Sequence, residues 1–395
     1  MSKATANRTA LYRVKEVTWG STPANPPLIE TRMTGEALDD AITFEKSKEL
    51  RSDRQLTDTI AVDSSPSGSF NIEMSYGTYA DLLESALMSV WSTPLAINGN
   101  AADISTTTDP ASNLTSGTAG KFSSIVEGQK IRLAGFTGSV SGIYTVVDKV
   151  SNQALTLSPV PAAAETPLLA AAQIRGSYIR NGVTEQSYTL VKQFNDATAM
   201  TRQIFRGMRV GGLSLELATA AIMTGAFNFM GKSAEFTEDT FAGESFVDAS
   251  TTEVMNAVTN LMSIYQDDAA IGTDGSVMSM SLEIDNQHRE QKGLGVLGNV
   301  GIAAGQLLVN VTASQYFESK EQADKFKAST AFKFGFILRD NSGNELHFTF
   351  PRCKYESFVV NASQLDSDVM AETTFTALRD PATNCMIQID AFPVA

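Results

Sequence analysis

A strand–helix unit written twice constrains this chain most. Residues 68–87 read GSFNIEMSYGTYADLLESAL. Phe70, Ile72 and Met74 alternate with polar neighbours, the period of a half-buried strand. Tyr79, Leu82, Leu83, Ala86, Leu87 and Val90 then follow at helical spacing. Between them lie the turn residues Ser75, Gly77 and Thr78, with Asp81 placed as the capping-box partner of Thr78. One strand therefore runs directly into one amphipathic helix. A similar strand opens at Gly305 in GQLLVNVTASQYFESKEQADKF, with a short helical pattern from Ser319. Internal repetition decides architecture before any single residue does.

The strands that follow keep one order. The first unit is followed by 187–196, 205–217 and 225–232, the second by 331–340, 350–360 and 373–380. Strands 41–47 and 276–285 precede them. From Gly68 to Gly305 the offset is 305 − 68 = 237, and from Phe205 to Phe350 it is 350 − 205 = 145. The difference, 237 − 145 = 92, places extra residues between Trp91 and Ser187. Gly and Asn punctuation there marks short strands at 129–134, 143–150 and 154–158. The expected organisation is an N-terminal arm or loop at 1–40 and a first domain of 41–94 plus 177–232. A small β-rich domain is inserted at 95–176 and a second domain spans 276–395. The linker 233–275 is expected to carry a helix at 251–265. Its apolar face is Val254, Ala257, Val258, Leu261, Met262 and Tyr265, behind a Ser250–Glu253 capping box.

Composition narrows the function classes. With 395 residues the chain has room for two or three domains, and 43% apolar residues suit packed cores. Only 19% of residues are charged, while small polar residues are plentiful, which favours mainly β structure with polar loops. A net charge of -14 disfavours general affinity for nucleic acid or anionic membranes. Cys353 and Cys385 lie in expected strands without CxxC spacing and read as buried free thiols in a reducing compartment. No apolar leader and no run of eighteen apolar residues is present, so synthesis in a cytoplasm is expected.

No catalytic, cofactor-binding or metal site stands out. His288 sits in a polar loop and His347 in a strand beside Phe348, so a shared metal site would need distant segments. GSVSG at 138–142 puts Val140 where a hydrolase elbow needs serine. GAFNFMGKS at 225–233 has five residues where a phosphate loop needs four, and Phe227 and Phe229 alternate as in a strand. DDAAIGTDG at 267–275 lacks the spacing of a calcium loop.

The chain resembles the tail tube (major tail) proteins of long, flexible-tailed bacteriophages. The resemblance rests on VTWGSTP (17–23), FEKSKELRSDRQ (44–55), the 68–87 unit, FRGMRVGGLSLEL (205–217) and the C-terminal FPRCKYESF and ETTFTALRDPATN. It covers most of the chain outside 95–176. It implies two tandem tail-tube domains, each a β-sandwich or partial barrel with a flanking helix. Rings of such subunits stack into a hollow tube whose lumen strands join edge to edge. A single-unit tube protein needs six copies per ring, so a duplicated chain would need three. The implied partners are further copies of the chain, a tape measure protein and viral DNA in the lumen, and tail terminator and tail tip proteins. The implied location is the virion tail, after assembly in the host cytoplasm.

Under this reading a carboxylate-rich lumen keeps DNA sliding, because lysines there would trap phosphates. Trp19 is a candidate anchor for a subunit contact. Arg51, Asp53 and Arg54 are candidates for ion pairs between subunits. The insertion belongs on the outer wall, where weak contact with a host surface is open to it. Competing readings are a tail terminator, a baseplate hub, a contractile-injection tube, a β-sandwich adhesin and an enzyme.

Overall fold

Alternating apolar residues become the inner face of one continuous sheet. The computed structural model describes residues 5–99, 103–136, 139–167, 172–195, 200–272, 276–362 and 365–394. Among the described residues strands take 52% against 5% for helices, so the core lies between sheets. Eight antiparallel segments pair in the order 35–46, 59–73, 224–230, 209–218, 277–285, 308–316, 370–377 and 353–361. The last four repeat the pairing order of the first four. The middle joint is itself a strand pair, with Leu213 opposite Ile284 and Leu215 opposite Leu282.

The inner face of this sheet carries Phe70, Phe227, Leu215, Leu282, Val311 and Phe375, all buried in one core. Two further strand sets close over that core. In the first half they are Pro27–Glu30, Thr9–Lys15, Tyr188–Phe194, the start of Thr201–Ala218, and Ser233–Thr237. In the second half they are Ala269–Ile271, Leu261–Gln266, Phe332–Arg339, the start of Glu345–Asn361, and Gln388–Phe392. Thr201–Ala218 and Glu345–Asn361 are long because each serves both layers, at 18 and 17 residues. Among the described residues there are two α-helices. Ala80–Ala86 buries Leu82, Leu83 and Ala86, whereas Glu321–Lys327 buries nothing.

Strand register moves the repeat by four residues. Phe70 and Val311 hold equivalent places, opposite Phe227 and Phe375. Their offset is 311 − 70 = 241, and the helix starts, Ala80 and Glu321, are also 321 − 80 = 241 apart. Gly68 therefore does not match Gly305. Gly68 is a local necessity of the first half: its φ is +137°, and a Cβ there would lie 2.1 Å from the Ala37 carbonyl oxygen.

Three expectations fail on local structure. Among the described residues, 5–40 are not an arm or loop, because Thr9–Lys15 pairs along its whole length with Tyr188–Phe194 and buries Leu11 and Val14. No helix spans 251–265. Met255 exchanges backbone hydrogen bonds with Met74 and Met223, and Leu261–Gln266 pairs with Phe332–Arg339. Sheet pairing claims the backbone groups that a helix would need. Ser250, read as a cap, instead contacts Thr78 and Thr252 by its hydroxyl. The first helix also stops at Ala86, leaving Val90 exposed.

Residues 95–176 build a separate core from Leu95, Ile104, Leu114, Ile131, Val146 and Ile174. Strand Gln173–Arg180 ties it to the second half: 173–176 pair within the insertion and 177–180 pair with Gln388–Ala391. Both cysteines are buried and free.

Candidate assembly surfaces

The outer face of the eight-segment sheet is polar throughout its centre. Directly paired residues share a face. One row runs Glu73, Thr224, Glu216, Ser281, Thr312, Thr374. The next runs Asn71, Ala226, Ser214, Glu283, Asn310, Thr376. Neighbours knit across the strands: Thr312 and Thr374 hydroxyls lie 3.2 Å apart, and Thr376 donates to Asn310 at 2.7 Å. The flanking rows add Asp285 and Glu372. Among the described residues, none of Glu73, Glu216, Glu283, Asp285 and Glu372 makes an ion pair. The only base in these rows is Lys354, on the last segment. The face is thus a carpet of hydroxyls, amides and uncompensated carboxylates.

This sheet ends in two free edges. Among the described residues, 39–46 pairs only with 59–67, and 354–361 pairs only with 370–376. Unpaired edges invite a further strand. The middle joint shows what such an edge accepts, since 212–218 takes 277–285 on the side corresponding to the free side of 354–361.

Two hairpins carry exposed apolar tips. The first joins Asp39–Lys46 to Thr59–Glu73, and residues 48–60 are all exposed, with Leu50 at 103%. The second joins Arg289–Lys292 to Asn299–Ala303, with Leu294 at 105% and Val296 and Leu297 exposed beside it. The first hairpin leads into Thr59–Glu73 and the second into Leu308–Tyr316, and the far end of each of these strands leads into a helix, so tips and helices occupy opposite ends of the sheet.

The sequence candidates fall at two separate places. Arg51 and Asp53 meet in the first tip, where Arg51 Nε and Nη2 donate to the carboxylate at 3.0 and 2.6 Å. That fork raises the Arg51 guanidinium and lowers the Asp53 carboxyl relative to their usual ranges, in full solvent. Arg54 forms the turn beside them with φ 57°. Trp19 packs on its own half instead. Arg209 and Lys232 lie over its ring at 5.5 and 4.9 Å, and Nε1 donates to the Gly207 carbonyl at 3.0 Å.

A buried polar cluster where the insertion meets the second half escaped sequence reading. Lys130 Nζ donates to the Tyr265 hydroxyl at 2.9 Å and lies 3.4 Å from His347 Nδ1. His347 Nε2 then donates to Glu345 at 2.7 Å. Asp390 accepts from the Lys130 backbone and from Gln388. Burial, partly opposed by the Glu345 hydrogen bond, pushes His347 down to about 4. Burial pushes Asp390 up to about 6, against the pull of Lys130.

These two shifts act on stability in opposite senses. His347 stays neutral in the fold while the unfolded chain takes a proton below 6.5, so its contribution is lost as pH falls from 6.5 to about 4. Asp390 keeps a proton in the fold that the unfolded chain releases above 3.8, so its contribution is lost as pH rises from 3.8 to about 6. The two offset each other over most of that window. Asp390→Asn removes one of them. The variant is expected to lose about 3 kcal/mol between pH 6.5 and 4, where the wild type stays nearly flat. Urea midpoints across that range check this, and parallel curves would contradict it.

Among the described residues no cluster of His, Cys, Asp and Glu could hold a metal ion, and no helix is long and apolar enough to cross a membrane. A search of curated proteins returns no match. A family model described as phage tail tube protein matches residues 6–377, nearly the whole chain. The mainly β fold, with its polar outer face and free edges, agrees with that match. The chain therefore belongs to the phage tail tube protein family, a structural component of the virion tail that assembles into a tube.

Proposed function

We propose that three copies of this chain close their eight-segment sheets into one ring, and that rings stack into the tube through which phage DNA passes. The observation that carries this reading is the middle joint. Within one chain, the free side of one domain's long strand accepts the first strand of the next domain. The second domain offers the same side of its long strand with nothing on it, and the first domain offers its first strand bare. Joining them between copies repeats the internal joint and leaves no edge open. The bare second helix fits the same scheme. Asn286 of the second half donates to the Ala86 and Val210 carbonyls, capping the first helix. The equivalent carbonyl, Lys327, would meet the next copy.

Three chains give 24 segments. At about 4.8 Å per strand the circumference is about 115 Å before tilt, wide enough for a nucleic-acid duplex. The polar rows line this lumen, because the opposite face is filled by the core. The domains read from the strand pairing are tandem tube domains, with the 95–176 module on the outer wall. The apolar tips and the helices lie at opposite ends, which supports head-to-tail stacking. Tape measure protein and DNA occupy the lumen, and terminator and tip proteins cap the ends of a flexible, non-contractile tail assembled in the host cytoplasm. The role is structural, without catalysis.

The conduit reading is tested on the lumen charge. Tubes carrying Glu216→Lys and Glu283→Lys should retain duplex DNA at least ~10-fold more strongly at low salt, with retention lost between about 50 and 200 mM salt. Wild-type tubes should not retain it. Equal retention by both would place these rows away from the DNA path.

A further inference from the structure

We infer that the cleft between the inserted module and the second half binds a multivalent phosphate-bearing ligand. The cleft holds about 1070 Å³ and is walled by Lys130 and Arg132 of the insertion and by Lys333 and Arg339 of the second half. Its lining carboxylates are Asp268 and Glu345. Four cations against two anions leave an excess of two positive charges, in a chain whose net charge is -14.

The excess is concentrated where it costs most. Glu345 Oε1 alone receives Arg132 at 3.1 Å and Arg339 at 2.7 Å. Its other oxygen is taken by His347, whose far nitrogen faces the Lys130 ammonium. Lys130 is 7% exposed, packs over the Tyr265 ring, and has no ion pair among the described residues. Lys333 pairs with Asp268 at 2.5 Å and Lys130 is drawn toward buried Asp390, so the excess rests on the two guanidiniums that share Glu345. Two guanidiniums on one carboxylate are half-compensated, and a further anion would complete the pairing. Guanidinium forks and a lysine together suit phosphate oxygens better than a lone carboxylate.

The placement fits an extended ligand reaching the chain from outside. The cleft lies over Leu261–Gln266 and Phe332–Arg339, in the layer away from the polar rows. Hydroxyls of Ser141, Thr145, Ser158 and Ser263 line it and can bond sugar or glycerol units between phosphates. The shared chemistry is a run of phosphates. Its sources are free inorganic polyphosphate or a phosphate-bearing polymer of a cell surface.

The test is titration calorimetry of the full unassembled chain with inorganic tripolyphosphate and, separately, with a glycerol-phosphate oligomer. Binding of at least one probe is expected. Lys333→Ala with Arg339→Ala should weaken it at least ~10-fold, with a matching loss of salt dependence. These two are rim residues, so the fold should persist with an unchanged unfolding midpoint; Lys130→Met should weaken binding as well, but it also removes the donor to Tyr265 and is read only where the variant stays folded. Tighter binding of the oligomer than of tripolyphosphate would assign the surface polymer, and the reverse would assign free phosphate. No binding of either probe, or binding that ignores all three substitutions, would overturn the inference.

Discussion

Chains carrying Ser357→Cys and Ala37→Cys are expected to oxidise into covalent rings of three. Ser357 stands opposite Thr374, the residue before Phe375, as Ser214 stands opposite Ala226, the residue before Phe227. Ala37 donates its backbone N–H to Ser69, and Glu283 stands opposite Asn310, which is 69 + 241. Ser214 and Glu283 are direct partners across the internal joint. Ser357 and Ala37 of the next copy inherit that geometry, and directly paired strand residues fall within disulfide reach. Within one chain the two positions lie at opposite edges of eight segments, roughly 30 Å apart, so no internal bond can form. Non-reducing electrophoresis of assembled tubes should therefore show dimer and trimer, ending at trimer. Either single variant should stay monomeric. A ladder running to six would break the threefold reading, and absence of any link would break the edge pairing itself.

Shortening the first hairpin should abolish tube growth while leaving the chain folded. Replacing residues 48–57 with Asn-Gly removes Leu50 and Leu56, both exposed, and the Arg51–Asp53 fork. Nothing buried is lost, so the unfolding free energy should change by no more than about 0.5 kcal/mol. An exposed apolar tip on a charged loop has no reason to persist unless a partner covers it. Elongation should fall at least ~100-fold by sedimentation, because a head-to-tail stack loses one contact per chain, three in every ring. Leu294→Asp at the second tip should slow growth as well. Tubes of normal length and yield from the shortened hairpin would move the stacking contact elsewhere.

The strand pattern was open to sequence reading wherever one face is buried. Phe70, Ile72 and Met74 alternate because their neighbours face water, and the same holds for Phe227 and Phe229. The outward half of that alternation, Asn71, Glu73, Ala226 and Asn228, was visible too. Its meaning was not, because a row across strands depends on register, and a shift of even one residue exchanges the faces. Register also explains the wrong repeat offset: glycines were matched, but Gly68 answers to a single carbonyl in its own half. LMSIYQ at 261–266 satisfies both helical and strand spacing, and only its partner Phe332–Arg339 decides between them. Trp19 was legible as an anchor but not as an anchor to Gly207, 188 residues away. The Lys130, Tyr265, His347 and Asp390 cluster has no signal at all, since its members come from four distant segments.

The most direct measurement of the central claim is electron microscopy of assembled tubes, with rings averaged without imposed symmetry. Threefold rings are expected, in which two similar lobes alternate and every second lobe carries an outer module. Rings of six identical chains, each with its own module, would contradict it.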